Sequence, residues 1–306
     1  MKKILLLLAA VCVLGGCVSK PTNVNPNAAP VLTVKIPELF SPSPDIADDK
    51  MKIHITVKHP APIKDWNIEI QPIRQSSGQS AQAAAQPAAA QPAAAAQGET
   101  RQRTEGRQRQ PFYEQKGTGT PPTVWEWNGK STRPSAEMVQ SATDYKFVLK
   151  VNDVYDNTAE FDGVISVDVL VRREGDNLRI IVPSIIFPGD SSDLTRVSED
   201  EQRANRRVLR LIATALSKYP DYRITIEGHA NPLSAAGTAN WTRQETTLKP
   251  LSEQRARAVG EYIASNNNIA RTRFTYVGMG TTRTVADYSD EEEQWKNRRV
   301  EFILNK

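Results

Sequence analysis

Between residues 31 and 172 apolar and polar side chains alternate in short runs, at 31–36, 51–57, 66–70, 124–127, 145–151 and 161–171. Period two, with Pro, Asn-Gly and Asp-Asn turn signals between the runs, predicts half-buried strands, and a succession of them predicts an all-β sandwich. The pattern changes after Gly175-Asp176. Residues 178–182 and 184–187 read as a strand broken by Pro183. Ser198 with Glu201 three positions on forms a capping box, and Ala204, Val208, Leu211, Ile212, Ala215 and Leu216 then recur at helical spacing. A strand at 222–226 follows, then a second helix starting at Leu251 or Ser252 and burying Ala258, Val259, Tyr262 and Ile263. Strands at 274–277 and 299–304 complete the order β-α-β-α-β-β. That order predicts an α+β unit with two helices on one face of a mixed sheet. The chain is thus expected to be multidomain, with a β-sandwich at 31–175 and an α+β unit at 176–306.

The amino terminus follows neither period. Lys2 and Lys3 precede an apolar run at 4–13, which is too short for a bilayer core that needs roughly 20 residues, so it reads as a cleaved signal over 1–16. The string Leu14-Gly15-Gly16-Cys17 resembles the lipobox of bacterial lipoproteins. That resemblance implies acylation of Cys17, and acyl chains at about 0.8 kcal/mol per buried methylene suffice for stable anchoring. Cys12 lies inside the leader, so the mature chain keeps no second thiol for a disulfide, a metal cluster or a cysteine nucleophile. Residues 17–30 then form a lipidated tether with nothing to bury, spanning up to about 40 Å when extended. Inside the sandwich, 75–110 is an insertion of Ala, Gln and Pro followed by Arg101, Arg103, Arg107 and Arg109. Its prolines interrupt any alanine helix and it offers no apolar face, so disorder is expected.

Charge narrows the function. The formal net charge of +4 falls to about +2 once Lys2 and Lys3 leave, too weak a bias to indicate nucleic acid. No Gly-x-Ser-x-Gly, His-Glu-x-x-His or phosphate-loop string occurs, so no enzyme, catalytic residue or cofactor is expected. His229 stands without a second histidine or a cysteine, and no metal site is assigned to it. Asp45, Asp48 and Asp49 admit a calcium reading, but acidic turn residues bonding their own backbone are the commoner use.

Three strings carry a family resemblance: Glu-Gly-His-Ala-Asn at 227–231, Leu-Ser-Glu-Gln-Arg-Ala at 251–256 and Asn-Arg-Arg-Val-Glu-Phe at 297–302. Together they resemble the OmpA-like domain, which grips bacterial peptidoglycan. The resemblance implies the β-α-β-α-β-β fold and a site for the diamino acid of the stem peptide. There an acidic side chain meets the ammonium and an arginine meets a carboxylate with two parallel bonds. Arg255 fills the arginine role, and Asn297, Arg298 and Arg299 match the last motif. Asn231 stands at the acidic position and brings no net charge.

The strings Phe40-Ser-Pro-Ser-Pro-Asp45, Trp125-Glu-Trp127-Asn-Gly129-Lys130 and Asp153-Val-Tyr-Asp-Asn157, with Tyr145, are similar to the immunoglobulin-like repeat of flagellar-hook-cap and gliding-associated proteins. The expected protein is a lipid-anchored, periplasm-facing lipoprotein of the outer membrane that binds peptidoglycan and leaves the sandwich free for an envelope protein partner. Val18 after the cysteine, in place of an inner-membrane retention aspartate, favours the outer membrane. The rival expectation is an adhesin or envelope assembly module.

Overall fold

A computed structural model describes residues 25–42, 49–73, 110–232, 241–287, 289–290 and 293–306, and of 241–245 the backbone alone. The leader, Cys17, Asp45, Asp48 and the 75–110 insertion up to residue 109 lie outside the described residues.

The alternating runs become two antiparallel sheets. β1 (Val31–Lys35), β2 (Met51–Lys58) and β5 (Val124–Trp127) form one in the order β1-β2-β5. β3 (Ile63–Pro72), β4 (Tyr113–Thr118), β6 (Asp144–Asp153) and β7 (Thr158–Ser166) form the other in the order β4-β3-β6-β7. Ile53, Ile55, Ile68, Ile70, Phe147 and Leu149 from both sheets share one core. Trp127 lies in it with ring centroids 5.7 Å from Phe40, 5.7 Å from Tyr113 and 6.4 Å from Tyr145. Such rings bury large apolar areas provided their polar tips find partners. Here Trp127 Nε1 donates to the Lys130 carbonyl at 2.9 Å, and the Tyr145 hydroxyl accepts from the Gln140 amide at 2.8 Å. β4 was not expected from the sequence; its Tyr-Glu-Gln-Lys-Gly-Thr lies on a half-exposed edge, where no alternation is demanded.

The C-terminal unit comprises β8 (Val171–Glu174), β9 (Asn177–Val182), α1 (Glu199–Ser217), β10 (Arg223–His229), α2 (Trp241–Asn267), β11 (Phe274–Gly280) and β12 (Val300–Asn305). Its sheet runs β11-β10-β12-β9-β8. β10 and β11 are parallel and the other pairs antiparallel, so the sheet is mixed. Ile180, Ile226, Phe302 and Leu304 point to the face on which Leu209, Ile212, Val259 and Ile263 of the two helices pack. The Ser198 capping box forms: its hydroxyl accepts from the Glu201 amide at 3.3 Å, and the Glu201 carboxylate accepts from the Ser198 amide at 2.8 Å.

Three expectations are corrected. β8 pairs with β9, so residues 171–174 belong to the C-terminal sheet and the boundary precedes the one placed at 175/176. Residues 184–187 form no strand. α2 begins at Trp241, ahead of Leu251, and runs through Pro250. A prolyl nitrogen cannot donate to the preceding turn, which is why the sequence suggested a boundary there. Among the described residues no helix is long and apolar enough to cross a membrane.

Candidate functional site

The site is built where α2 crosses the carboxyl ends of β10 and β11. A Cβ on Gly228 would collide with the backbone oxygen of Ser252, and one on Gly278 with that of Lys249. Glycine at these two positions lets the helix backbone rest on the strands. Ser252 was expected to start the helix. It is instead interior and fully buried, its hydroxyl donating to the Lys249 carbonyl at 2.8 Å and accepting from the Gly280 amide at 3.0 Å. This bond fixes the rotation of α2 against β11.

One turn later, at 8% exposure, Arg255 reaches the segment between β9 and α1. Its Nη2 donates to the carbonyls of Pro188 at 2.6 Å and Gly189 at 3.1 Å, and its Nε to Ser191 at 3.1 Å. The guanidinium also lies over the Phe187 ring, 5.1 Å from its centroid. Burial, with the Arg298 charge beside it, lowers Arg255 to about 10, so it remains a cation at neutral pH. Burial lowers Arg298 as well. Among the described residues neither guanidinium is ion-paired, and the Arg298 side chain has no hydrogen-bond partner. Asp190 acts on Arg255 from beyond ion-pair distance, and two cations held together with no carboxylate in direct contact among the described residues make a place for an anion.

Asn231 lies next to a chain of amides. Its Nδ2 donates to Gln294 Oε1 at 3.0 Å, and its Oδ1 accepts from Asn297 Nδ2 at 3.0 Å. Asn297 is fully buried; its oxygen accepts from the amides of Val285 and Ala286 at 2.8 and 3.0 Å, and its nitrogen also donates to the Ala286 carbonyl at 2.9 Å. Asn297 is therefore the scaffold of the turn that carries Arg298. The sequence does not single out Gln294; its only signal is a spacing of three from Asn297.

Arg299 lies elsewhere. Val300 and Phe302 face the helices, so Arg299 and Glu301 project from the other face of the sheet. Arg299 Nε donates to Glu301 at 2.5 Å and its Nη2 to the Arg283 carbonyl at 2.9 Å, while Arg179 Nη1 binds Glu301 at 3.1 Å. Arg283 pairs with Glu227 at 3.3 Å, and His229 Nε2 is 3.6 Å from Glu227 and 3.5 Å from Glu301. Glu227, His229 and Glu301 have ligand atoms within 4.8 Å of one another, a spacing that suits a metal ion. Both carboxylates are already matched by arginines, and Arg179 is shared with Glu174 at 3.0 Å, so a dication would compete with ion pairs already formed. This cluster is a charge network distinct from the Arg255 and Arg298 pair.

Residues 186–298 match the OmpA family. Peptidoglycan-binding protein ArfA of Mycobacterium tuberculosis is 32% identical over 102 residues, covering 33% of this chain and 28% of that protein. Outer membrane porin F of Pseudomonas aeruginosa is 33% identical over 90 residues, covering 29% of this chain and 23% of that protein. Peptidoglycan-associated lipoprotein of Agrobacterium fabrum is 30% identical over 113 residues, covering 37% of this chain and 56% of that protein. The chain thus spans from about a quarter to a little over half of the length of these relatives. Its C-terminal unit is an OmpA-like domain.

Proposed function

We propose that this chain is a cell-envelope lipoprotein whose OmpA-like domain binds peptidoglycan non-covalently, with no reaction catalysed. A stem-peptide carboxylate would lie against Arg298 and the open side of Arg255. The observation that carries the reading is the pair of partly buried guanidinium groups that, among the described residues, form no direct ion pair, with Asp190 acting on Arg255 only from farther away. The names of two relatives, one a peptidoglycan-binding protein and one a peptidoglycan-associated lipoprotein, support it. In this reading acylated Cys17 and the 17–30 tether fix the protein to the outer membrane. The N-terminal sheets then act as an immunoglobulin-like spacer between lipid and wall that also offers a face to an envelope protein.

Arg298→Ala tests the reading, because the Arg298 side chain makes no hydrogen bond among the described residues and its backbone bond to the Trp295 carbonyl survives the substitution. Binding of the purified chain to sacculi should weaken by about 1.5–3 kcal/mol, the range for a hydrogen bond to a charged group. A folded variant that binds as the parent does would overturn it. One observation favours a second reading, an adhesin or assembly module: Asn231 has no charge, and its amide is spent on Gln294 and Asn297. Failure of the parent chain to bind sacculi would select that reading.

A further inference from the structure

The N-terminal unit grips the turn that builds the site. Arg133 and Glu137 belong to the loop after β5, which is braced by Ser131 N–H to Glu137 carbonyl at 2.8 Å, Ala136 N–H to Arg133 carbonyl at 2.9 Å and Val139 N–H to Gly129 carbonyl at 2.9 Å. Arg133 Nη1 donates to Glu293 at 2.7 Å and lies 3.8 Å from Glu137. Lys296 pairs with both Glu137 and Glu293. Two cations and two anions, one of each sign from each unit, thus form a closed square, with side-chain exposures of 13–21%. Arg133 is anchored further by its Nε and Nη2, which donate to the Pro111 carbonyl at 3.1 Å and the Gln110 carbonyl at 2.8 Å.

The turn at Gln294–Asn297 is a 3-10 helix, in which side chains three apart eclipse one another. Glu293 and Lys296 therefore share the side facing the N-terminal loop. Gln294 and Asn297 share the next side, where they hold Asn231, and Arg298 follows directly. Rotation of this short turn moves both sets together. We infer that Arg133 and Glu137 are positioning residues for the candidate site: through Glu293 and Lys296 they set the rotation of the turn that places Gln294, Asn297 and Arg298. The consequence for wall binding rests on the function proposed above. The geometric claim does not.

The test uses the full chain. Glu137→Gln and Lys296→Met each open the square without touching the site, and Lys296→Arg keeps the charge. Hydrogen exchange at the Val285 and Ala286 amides, which are bonded to Asn297, should accelerate in the first two variants while β10 and β12 amides exchange as before. Affinity for a soluble muropeptide with a free stem-peptide carboxylate should fall about five-fold in both, at the lower end of ordinary site-to-site coupling, and return in Lys296→Arg. Parent-like exchange and affinity in Glu137→Gln and Lys296→Met would overturn the inference. Loss of affinity in Arg298→Ala alongside that result would leave the proposed function intact. A parent chain that binds no muropeptide would remove the function, and exchange at Val285 and Ala286 would then decide the positioning role by itself.

Discussion

The amide of Asn231 gives its oxygen to Asn297 and a hydrogen to Gln294, so it offers an incoming ammonium neither charge nor a free acceptor of full strength. Asn231→Asp keeps the acceptor for Asn297 and adds an anion. Affinity should rise about five-fold for a stem peptide with a free ammonium and stay level for its N-acetylated form, since charge-assisted bonds are roughly twice as strong as neutral ones. Titration of the two peptides in parallel separates these outcomes. Asp153, fully buried at the end of β6, shows the converse. Burial alone would raise its pKa, but the Asn157 side chain and amide, His59 and the Tyr155 amide outweigh burial and hold it below 3.8. A depressed carboxyl contributes stability that is present above its unfolded value and is lost as pH falls through the folded one. The N-terminal unit should therefore lose midpoint below about pH 4, near the unfolded Asp value. Asp153→Asn should flatten that acid limb while lowering stability at neutral pH by about 2 kcal/mol. Melting curves from pH 3 to 7 check both signs, and an unchanged acid limb would contradict the assignment.

β8 covers the edge of β9, whose other edge is taken by β12. A fragment starting at residue 176 would bare that edge to other chains, whereas one starting at 168 keeps it paired. The shorter fragment should melt roughly 4–8 °C lower, as a loss of about 1 kcal/mol gives for a small domain, and should scatter more light on heating. Equal behaviour would mean that β8 adds nothing. Amphipathic α1 and its cap were legible because period and Ser198–Glu201 spacing are local properties. So were the strands that bury one face. β4 was not, because a half-exposed edge imposes no pattern, and the start of α2 was misread because Pro250 carries a local veto that tertiary packing overrides. Arg255 could be found from its motif string. The partners of Gln294, and the separation of Arg299 onto the opposite face, depend on contacts between distant segments that no local signal encodes.

The two units meet through more than the charge square. Ala142 and Val169 join the C-terminal core, and Arg207 of α1 binds both oxygens of Asp144 at 3.0 and 3.1 Å. With the junction held by residues that follow the deleted segment, deleting 76–108 should leave cooperative melting and shift the midpoint by no more than about 2 °C, because closure entropy varies slowly with loop length. A larger shift would show that the segment packs. The β3–β4 ladder gives this point a practical meaning. Its pairing runs from Asp65↔Thr118 to Ile70↔Tyr113, so the chain leaves and re-enters at adjacent positions. The hairpin end is therefore a splice port, able to take any folded guest whose termini lie close together. A fluorescent guest spliced there would join the host at the carbonyls that Arg133 holds, and its emission would register the opening of the junction in living cells.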